Sequence, residues 1–482
     1  MSVLSQSTPT YRSRNRAAGQ EAIRRRLVKL VFAIYFLLIF EGALRKWGVP
    51  QLEQVFYFIR VPVALVLYAL AFRYGRWPRT SPAMVAFYML AVAALVLVPV
   101  QLLIGSYDAR YLVLAGYGWI NYFFYIPMAF IIADQFRAGD ISRLIRFTAW
   151  LAIPAAILVI WQFASSPHSV VNLGAGLDED NQFRNLGAAL GYVRPTGFFT
   201  STTGQTQFVA SAFALLSAAF FQRRGPLALR PSLLLAGGGA VVLMTVFSQS
   251  RSLFAMVALV LLATGAAGFV TGRTKILLRA IIWPAALAIT VALLWPLLFP
   301  TSFEVFTARW TGAMSHEEAI FRGGFFGRLF YGFYDFTYYL PNTPPFGYIL
   351  GLGGNASAQL SWVQLPAAAT EWQGYGKWSE GGWARHITEL GPVLGLFFII
   401  FRVVLTVWLG AMAVRATRRS GNVLPMVLFG FVGISLLVGQ ITGQGTINGF
   451  AWMFFGFCLA AARTVHTPRR QTDVIPPREV ER

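Results

Sequence analysis

Long apolar runs alternate along this chain with short connections, and every second connection is rich in arginine. That alternation constrains the fold more than any other feature. Several runs reach the roughly 20 residues that a helix needs to cross a bilayer. Over the 482 residues, 56% are hydrophobic and only 12% are charged, about half the charge of an average soluble protein. Length therefore counts spans here, not globular domains. About twelve helices are predicted, near 27–43, 55–72, 82–104, 112–133, 145–163, 207–221, 231–247, 253–270, 280–299, 388–410, 423–440 and 448–464. The expectation is an all-α polytopic integral membrane protein. Its parts are a basic tail (1–26), a membrane domain (27–464) and a second tail (465–482) that reads as disordered.

The arginines orient this arrangement. Arg73, Arg76 and Arg79 share one side with Arg137, Arg143 and Arg146, and with Arg223, Arg224 and Arg230. Arg273, Lys275 and Arg279 join them, as do Arg415, Arg418 and Arg419, the N-terminal cluster and Arg469 and Arg470. The positive-inside rule places both termini in the cytoplasm. It also accounts for the +21 net charge without nucleic acid as a partner. No secretory signal is visible, and the lone Cys458 lies in an apolar run, so no disulfide is expected within the chain. Two long segments fall on the external side, 164–206 and 300–387, the second with amphipathic helices expected around 315–340. Long loops on a rigid scaffold are where function concentrates.

External cations are not needed for topology, which makes them informative: Arg45, Lys46, Arg60, Arg110, Arg184, Arg194, Arg251, Arg309, Arg322, Arg328, Lys377 and Arg385. Arg251 sits in Ser248-Gln249-Ser250-Arg251-Ser252, either as a snorkelling residue or as an anion ligand flanked by hydroxyls. Arg194 opens Arg194-Pro195-Thr196-Gly197, followed by hydroxyl residues up to Thr203; this reads as a plain turn or as a phosphate or sugar site. Arg328 precedes the glycine-rich stretch from Pro345-Phe346-Gly347 to Gly354, which neither follows a strand nor opens a dinucleotide-binding helix. In Glu380-Gly381-Gly382-Trp383-Ala384-Arg385-His386-Ile387-Thr388-Glu389, helical spacing puts Arg385 and His386 on a face with Glu389. The competing readings are a structural ion pair and a general base at the membrane surface.

Other chemistries find no support. The four histidines are scattered, and His316-Glu317-Glu318 lacks a second histidine, so no metal site is expected. Asp178-Glu179-Asp180 reads as a solvated acidic turn. There is no phosphate-binding loop for ATP and no GxSxG elbow.

Taken in order, Ser248-Gln249-Ser250-Arg251, Arg328, Pro345-Phe346-Gly347, Gly351 and Glu389-Leu390-Gly391 resemble the O-antigen ligase and polymerase superfamily of the Wzy and WaaL types. The Arg194-Pro195-x-Gly197 loop resembles that family's arginine loop, and Glu41 to Trp47 resembles one polymerase-like branch. The similarity covers roughly residues 30–460. The family often carries a His-Asn pair where Glu380-Gly381 stands here. The resemblance implies a GT-C-like, metal-independent glycosyltransferase of the bacterial inner membrane, without a cofactor. Its donor is a glycan on undecaprenyl pyrophosphate at the periplasmic face, its second substrate a glycan acceptor, and a flippase and a chain-length regulator are possible partners beside membrane lipids. Arg194, Arg251, Arg328 and Arg385 are then the pyrophosphate ligands, with Arg45 and Arg60 as weaker candidates. Glu380 or His386 is the base, and Glu389 orients His386 or Arg385. Aromatic residues such as Tyr331, Tyr338, Trp362, Trp372 and Trp378 stack on sugars or anchor at the interface. Transport of a lipid-linked or anionic solute is the alternative, as is a metal-dependent or cell-wall-elongating transferase using an external carboxylate such as Glu41, Glu53 or Asp180.

Overall fold

A computed structural model describes residues 11–79, 81–174, 189–222, 227–272, 274–352 and 381–464. In a bilayer every backbone amide must bond within its own segment, and a chain this apolar answers with helices. In order they are α1 (Tyr11–Ala43), α2 (Glu53–Tyr57), α3 (Arg60–Arg73), α4 (Pro82–Leu103), α5 (Leu112–Trp119), α6 (Ile126–Gln135) and α7 (Ala138–Ala164). Then follow α8 (Thr202–Phe221), α9 (Pro231–Phe247), α10 (Arg251–Thr271), α11 (Thr274–Leu298) and α12 (Pro300–Ile320). The last are α13 (Gly324–Tyr334), α14 (Phe336–Asn342), α15 (Gly382–Ser420), α16 (Leu424–Leu437) and α17 (Gly445–Thr464). No strand occurs among the described residues.

Nine helical segments among the described residues are long and apolar enough to cross a membrane. Pro231–Phe247 and Leu424–Leu437 are apolar but shorter. The predicted span 112–133 is not one regular helix. α5 gives way to a π-helical turn at Ile120–Phe124 before α6 begins, and wider turns of this kind are common at functional sites. The N-terminal segment read from sequence as a tail is helical from Tyr11 onward and continuous with the first span. The span predicted at 388–410 extends from Gly382 to Ser420 and is two helices joined at Gly391, whose φ of 79° only glycine adopts readily.

Burial sorts the helices. The membrane-length stretch of α17 is 94% buried and that of α8 78%, so these two form the centre of the bundle. The membrane-length stretch of α11 is 6% buried and stands at the periphery. Small residues let the central helices approach closely. A Cβ at Gly456 of α17 would lie 2.7 Å from the Ala129 carbonyl oxygen of α6, and one at Gly430 of α16 would lie 2.5 Å from the Ala263 Cβ of α10.

The two ends of the bundle differ. At the basic end, Arg24 bonds to the Gln135 carbonyl and Asp140, Arg137 pairs with Glu21, and Arg463 pairs with Asp134. At the opposite end α12, α13 and α14 lie beside the Arg194 loop and the start of α15. They account for the helices expected around 315–340, although helix already begins at Pro300.

Candidate functional site

Ser248-Gln249-Ser250 forms the turn between α9 and α10, and Gln249 takes a φ of 54°, a left-handed conformation unusual outside glycine. Contacts hold this turn from every side. The Gln249 side-chain amide donates to the backbone carbonyl of Ser302 at 3.2 Å, and Arg309 donates to the Gln249 carbonyl. The Ser250 and Thr206 hydroxyls are 3.1 Å apart. Arg251 is thereby set at the first turn of α10, pointed at α12.

There it meets Glu317, which is 1% exposed. Arg251 donates to both carboxylate oxygens, at 2.5 and 3.0 Å, and Arg328 of α13 donates to Oε1 at 2.7 Å. The arginine hydrogen bonds hold the Glu317 carboxyl below the usual carboxylate range, the Arg251 bond being the strongest cause. Arg194 and Arg309 lie within electrostatic reach. Burial, then Arg251, lowers the Arg194 pKa. Burial, then Arg194 and Arg251, pushes Arg309 down to about 10. Two guanidinium groups, from Arg251 and Arg328, thus hold one carboxylate, while Arg194 and Arg309 stand within electrostatic reach of Arg251, and the Arg194 Nε is buried without a hydrogen-bond partner.

The Arg194 loop is clamped by a residue from the end of the first span. Lys46, 2% exposed, donates to the Thr196 hydroxyl and the Gly197 carbonyl, both at 2.9 Å. Gln162 holds Gly197 from the other side, accepting from its amide at 2.8 Å. Neighbouring Arg60 pairs with Glu41 at 2.7 Å and donates to the Gly445 carbonyl at 3.0 Å, while Arg45 pairs with Glu53 at 2.8 Å. Arg45 and Arg60 are therefore committed to carboxylates.

The glycine stretch and the start of α15 lock together. The Tyr348 amide donates to the Thr388 carbonyl at 2.9 Å, and the Gly351 amide to Glu389 Oε2 at 3.0 Å. Gln101 of α4 ties both strands of this contact, donating to the carbonyls of Phe346 and Glu389. A Cβ at Gly391 would lie 2.4 Å from the Pro345 carbonyl oxygen.

His386 is fully buried and uses both ring nitrogens. Nδ1 is 3.0 Å from the Tyr122 hydroxyl and Nε2 is 2.7 Å from Arg402 Nη1. Since arginine only donates, Nε2 accepts and Nδ1 carries the proton. Tyr122 and Arg402 thus orient His386, the part expected of Glu389. Nor does Arg385 pair with Glu389: among the described residues it makes no ion pair, and its Nη1 is buried against Gly443 without a hydrogen bond. The structure gathers Arg194, Arg251 and Arg328, places Arg385 and His386 elsewhere, and leaves Glu380, with Arg184, Lys377, Trp362, Trp372, Trp378 and the acidic turn at 178–180, outside the described residues.

Four contributors escaped the sequence reading. Glu317 looked like part of a failed metal motif. Arg309 stood in the list of external cations without a role. Arg402, an arginine within an apolar run, carries the signal of an intramembrane charge. Asp335, 2% exposed, lies against Gly381, and burial raises its carboxyl to about 6.

No family model, curated protein or solved structure matches the chain. The site must be read from its own chemistry: a partly buried cluster of arginines with one glutamate paired to two of them, at the end of the bundle opposite the basic connections.

Proposed function

We propose that this protein is a multi-pass glycosyltransferase of the bacterial inner membrane, with both termini cytoplasmic. In this reading it polymerises or ligates oligosaccharides presented on undecaprenyl pyrophosphate at the periplasmic face. The supporting observation is the gathering of Arg194, Arg251, Arg309 and Arg328 at one place, with one carboxylate, Glu317, paired to Arg251 and Arg328. Such a site has a surplus of fixed positive charge and asks for a multiply charged anion. In the reaction an acceptor hydroxyl attacks the anomeric carbon, the bond from that carbon to the pyrophosphate oxygen breaks, and undecaprenyl pyrophosphate departs with the bonding electrons. Guanidinium groups preorganised in a low-dielectric pocket stabilise that developing charge most strongly in the transition state. A base must take the hydroxyl proton. With both nitrogens of His386 engaged inside the bundle, we assign this role to Glu380, and to Glu389 the support of the glycine stretch through the Gly351 amide.

Transport is the second reading, and two observations favour it: the break in α15 at Gly391 and the buried Arg402 beyond it. Arg402, however, spends its donors on the carbonyls of Ser435, Leu436 and Gly439 and on His386, and the Gly391 break receives the chain at Pro345. Both features serve packing.

The test uses purified protein in nanodiscs with a lipid-pyrophosphate oligosaccharide and excess EDTA. Glycan transfer that survives EDTA is the expected result, a ladder marking a polymerase and a single product a ligase. No transfer in nanodiscs, together with movement of the intact lipid-linked glycan across the bilayer of proteoliposomes, would replace this reading with the second.

A further inference from the structure

At the basic end of the bundle, far along the chain from the arginine site, a cavity of about 690 Å³ opens between α1 and α7. Its α1 wall is read directly from helical spacing. Ala18, Ala22, Arg25 and Lys29 fall on one stripe, with Arg26 beside it: two small residues make the hollow and three cations rim it. Arg143 of α7 faces them, and Val28, 2% exposed, also lines the cavity.

The carboxylates in the lining are already in use. Glu21 accepts from Arg24 and Arg25 and pairs with Arg137. Asp140 accepts from Arg24 at 2.5 Å and from the Arg137 amide at 3.1 Å, and Arg143 is 3.6 Å away. Arg26 and Lys29 make no ion pair among the described residues. A topogenic cluster needs charge but no hollow; here the charge surrounds one.

Below the cations the same two stripes turn aromatic. On α1, Arg25 and Lys29 are followed at helical spacing by Phe32 and Phe36; on α7, Arg143 is followed by Phe147 and Trp150. Phe32 and Phe147 meet edge to face at 6.3 Å, while Phe36 is 44% and Trp150 61% exposed. A cationic cavity directly above exposed aromatic surface, at the level where the apolar run begins, has the two-part chemistry of a phospholipid. We infer that the cleft between α1 and α7 binds an anionic phospholipid, its phosphate against Arg26, Lys29, Arg25 and Arg143 and its acyl chain along Phe32, Phe36, Phe147 and Trp150. The inference is independent of the proposed transfer reaction.

Native mass spectrometry of the full-length protein from mixed detergent micelles tests it. Wild-type protein is expected to retain phosphatidylglycerol in preference to phosphatidylcholine. Arg26→Gln with Lys29→Gln should reduce that retention roughly thirtyfold, the scale of two basic residues at a lipid surface. The swap Arg26→Lys with Lys29→Arg should keep it, and so should Arg418→Gln with Arg419→Gln elsewhere among the basic connections. Equal retention of the two lipids by wild type, or equal retention by wild type and the glutamine variant, would overturn the inference. Displacement of the lipid by millimolar glycerol phosphate would also overturn it, since the site would then hold a free phosphate ester. A second measurement on wild type alone guards against misfolding of the variant: photoactivatable phosphatidylglycerol should label peptides containing Phe32 or Trp150, and labelling confined to other helices would contradict the placement.

Discussion

Arg251 grips Glu317 through both carboxylate oxygens, and Arg328 shares one of them. In the proposed reaction the same nitrogens must bind the leaving pyrophosphate, so Glu317 occupies the place of a substrate oxyanion. Donor binding then requires this carboxylate to yield. Glu317→Gln is expected to tighten binding of a prenyl pyrophosphate by roughly tenfold, the effect of removing about 1.4 kcal/mol of competition. Arg251→Ala and Arg328→Ala should each weaken it, by about tenfold to a hundredfold on the scale of charge-assisted hydrogen bonds. Isothermal titration in detergent reads both directions. Weaker binding in Glu317→Gln would show that the glutamate positions the arginines without competing for them.

Two carboxylates near this end respond to pH with opposite signs. Glu317 has a depressed pKa because of Arg251 and Arg328, so its contribution is present above the ordinary glutamate value and lost as pH falls through the folded one. Asp335 has its pKa raised by burial from 3.8 to about 6, so its ionisation costs stability as pH rises through that window. Asp335→Asn should therefore raise the melting temperature at pH 8 and lose that advantage near pH 4. Glu317→Gln should show the converse, costing more at pH 8 than at pH 4. Thermal melts at the two pH values separate them, and parallel shifts would contradict the assignment.

The junction at Gly391 is intolerant of a side chain. Its φ of 79° disfavours any other residue, and a Cβ would meet the Pro345 carbonyl at 2.4 Å. Gly391→Ala is expected to destabilise the protein by about 2 kcal/mol or more. Gly347→Ala, with φ 72° and a Cβ 2.6 Å from the Glu389 carbonyl oxygen, should behave alike. Melting in nanodiscs measures the loss; wild-type stability in both would mean that this contact does not persist in the membrane.

Arg402 and His386 form a structural pair in this account. Arg402→Met strips donors from three backbone carbonyls and from His386, and should cost about 3–5 kcal/mol. His386→Gln keeps hydrogen-bonding capacity and should retain glycan transfer within about tenfold, whereas loss of a general base costs about a hundredfold or more. Initial transfer rates discriminate between a supporting and a catalytic histidine.

The helices were legible because the bilayer imposes a length and an apolar composition that any reading of the chain detects. Arg194, Arg251 and Arg328 were legible as cations without a topological purpose. Lys46 was visible in the same way, but its clamp on Thr196 and Gly197 joins residues 150 positions apart, and no local pattern announces such a contact. Spacing misled at Arg385 and Glu389: an i,i+4 pair on a helix is only an opportunity, and Glu389 instead bonds to the Gly351 amide. Glu317 was hidden because its role depends on two arginines from other elements.

The most direct test follows the leaving group. Purified wild-type protein is mixed with a defined lipid-pyrophosphate oligosaccharide and an acceptor, and the lipid product is identified by mass. One undecaprenyl pyrophosphate should be released per glycan transferred, with release abolished in Arg251→Ala protein that inserts and folds normally. Undiminished release in that variant, or release of the monophosphate lipid instead, would contradict the claim that these arginines hold the departing pyrophosphate.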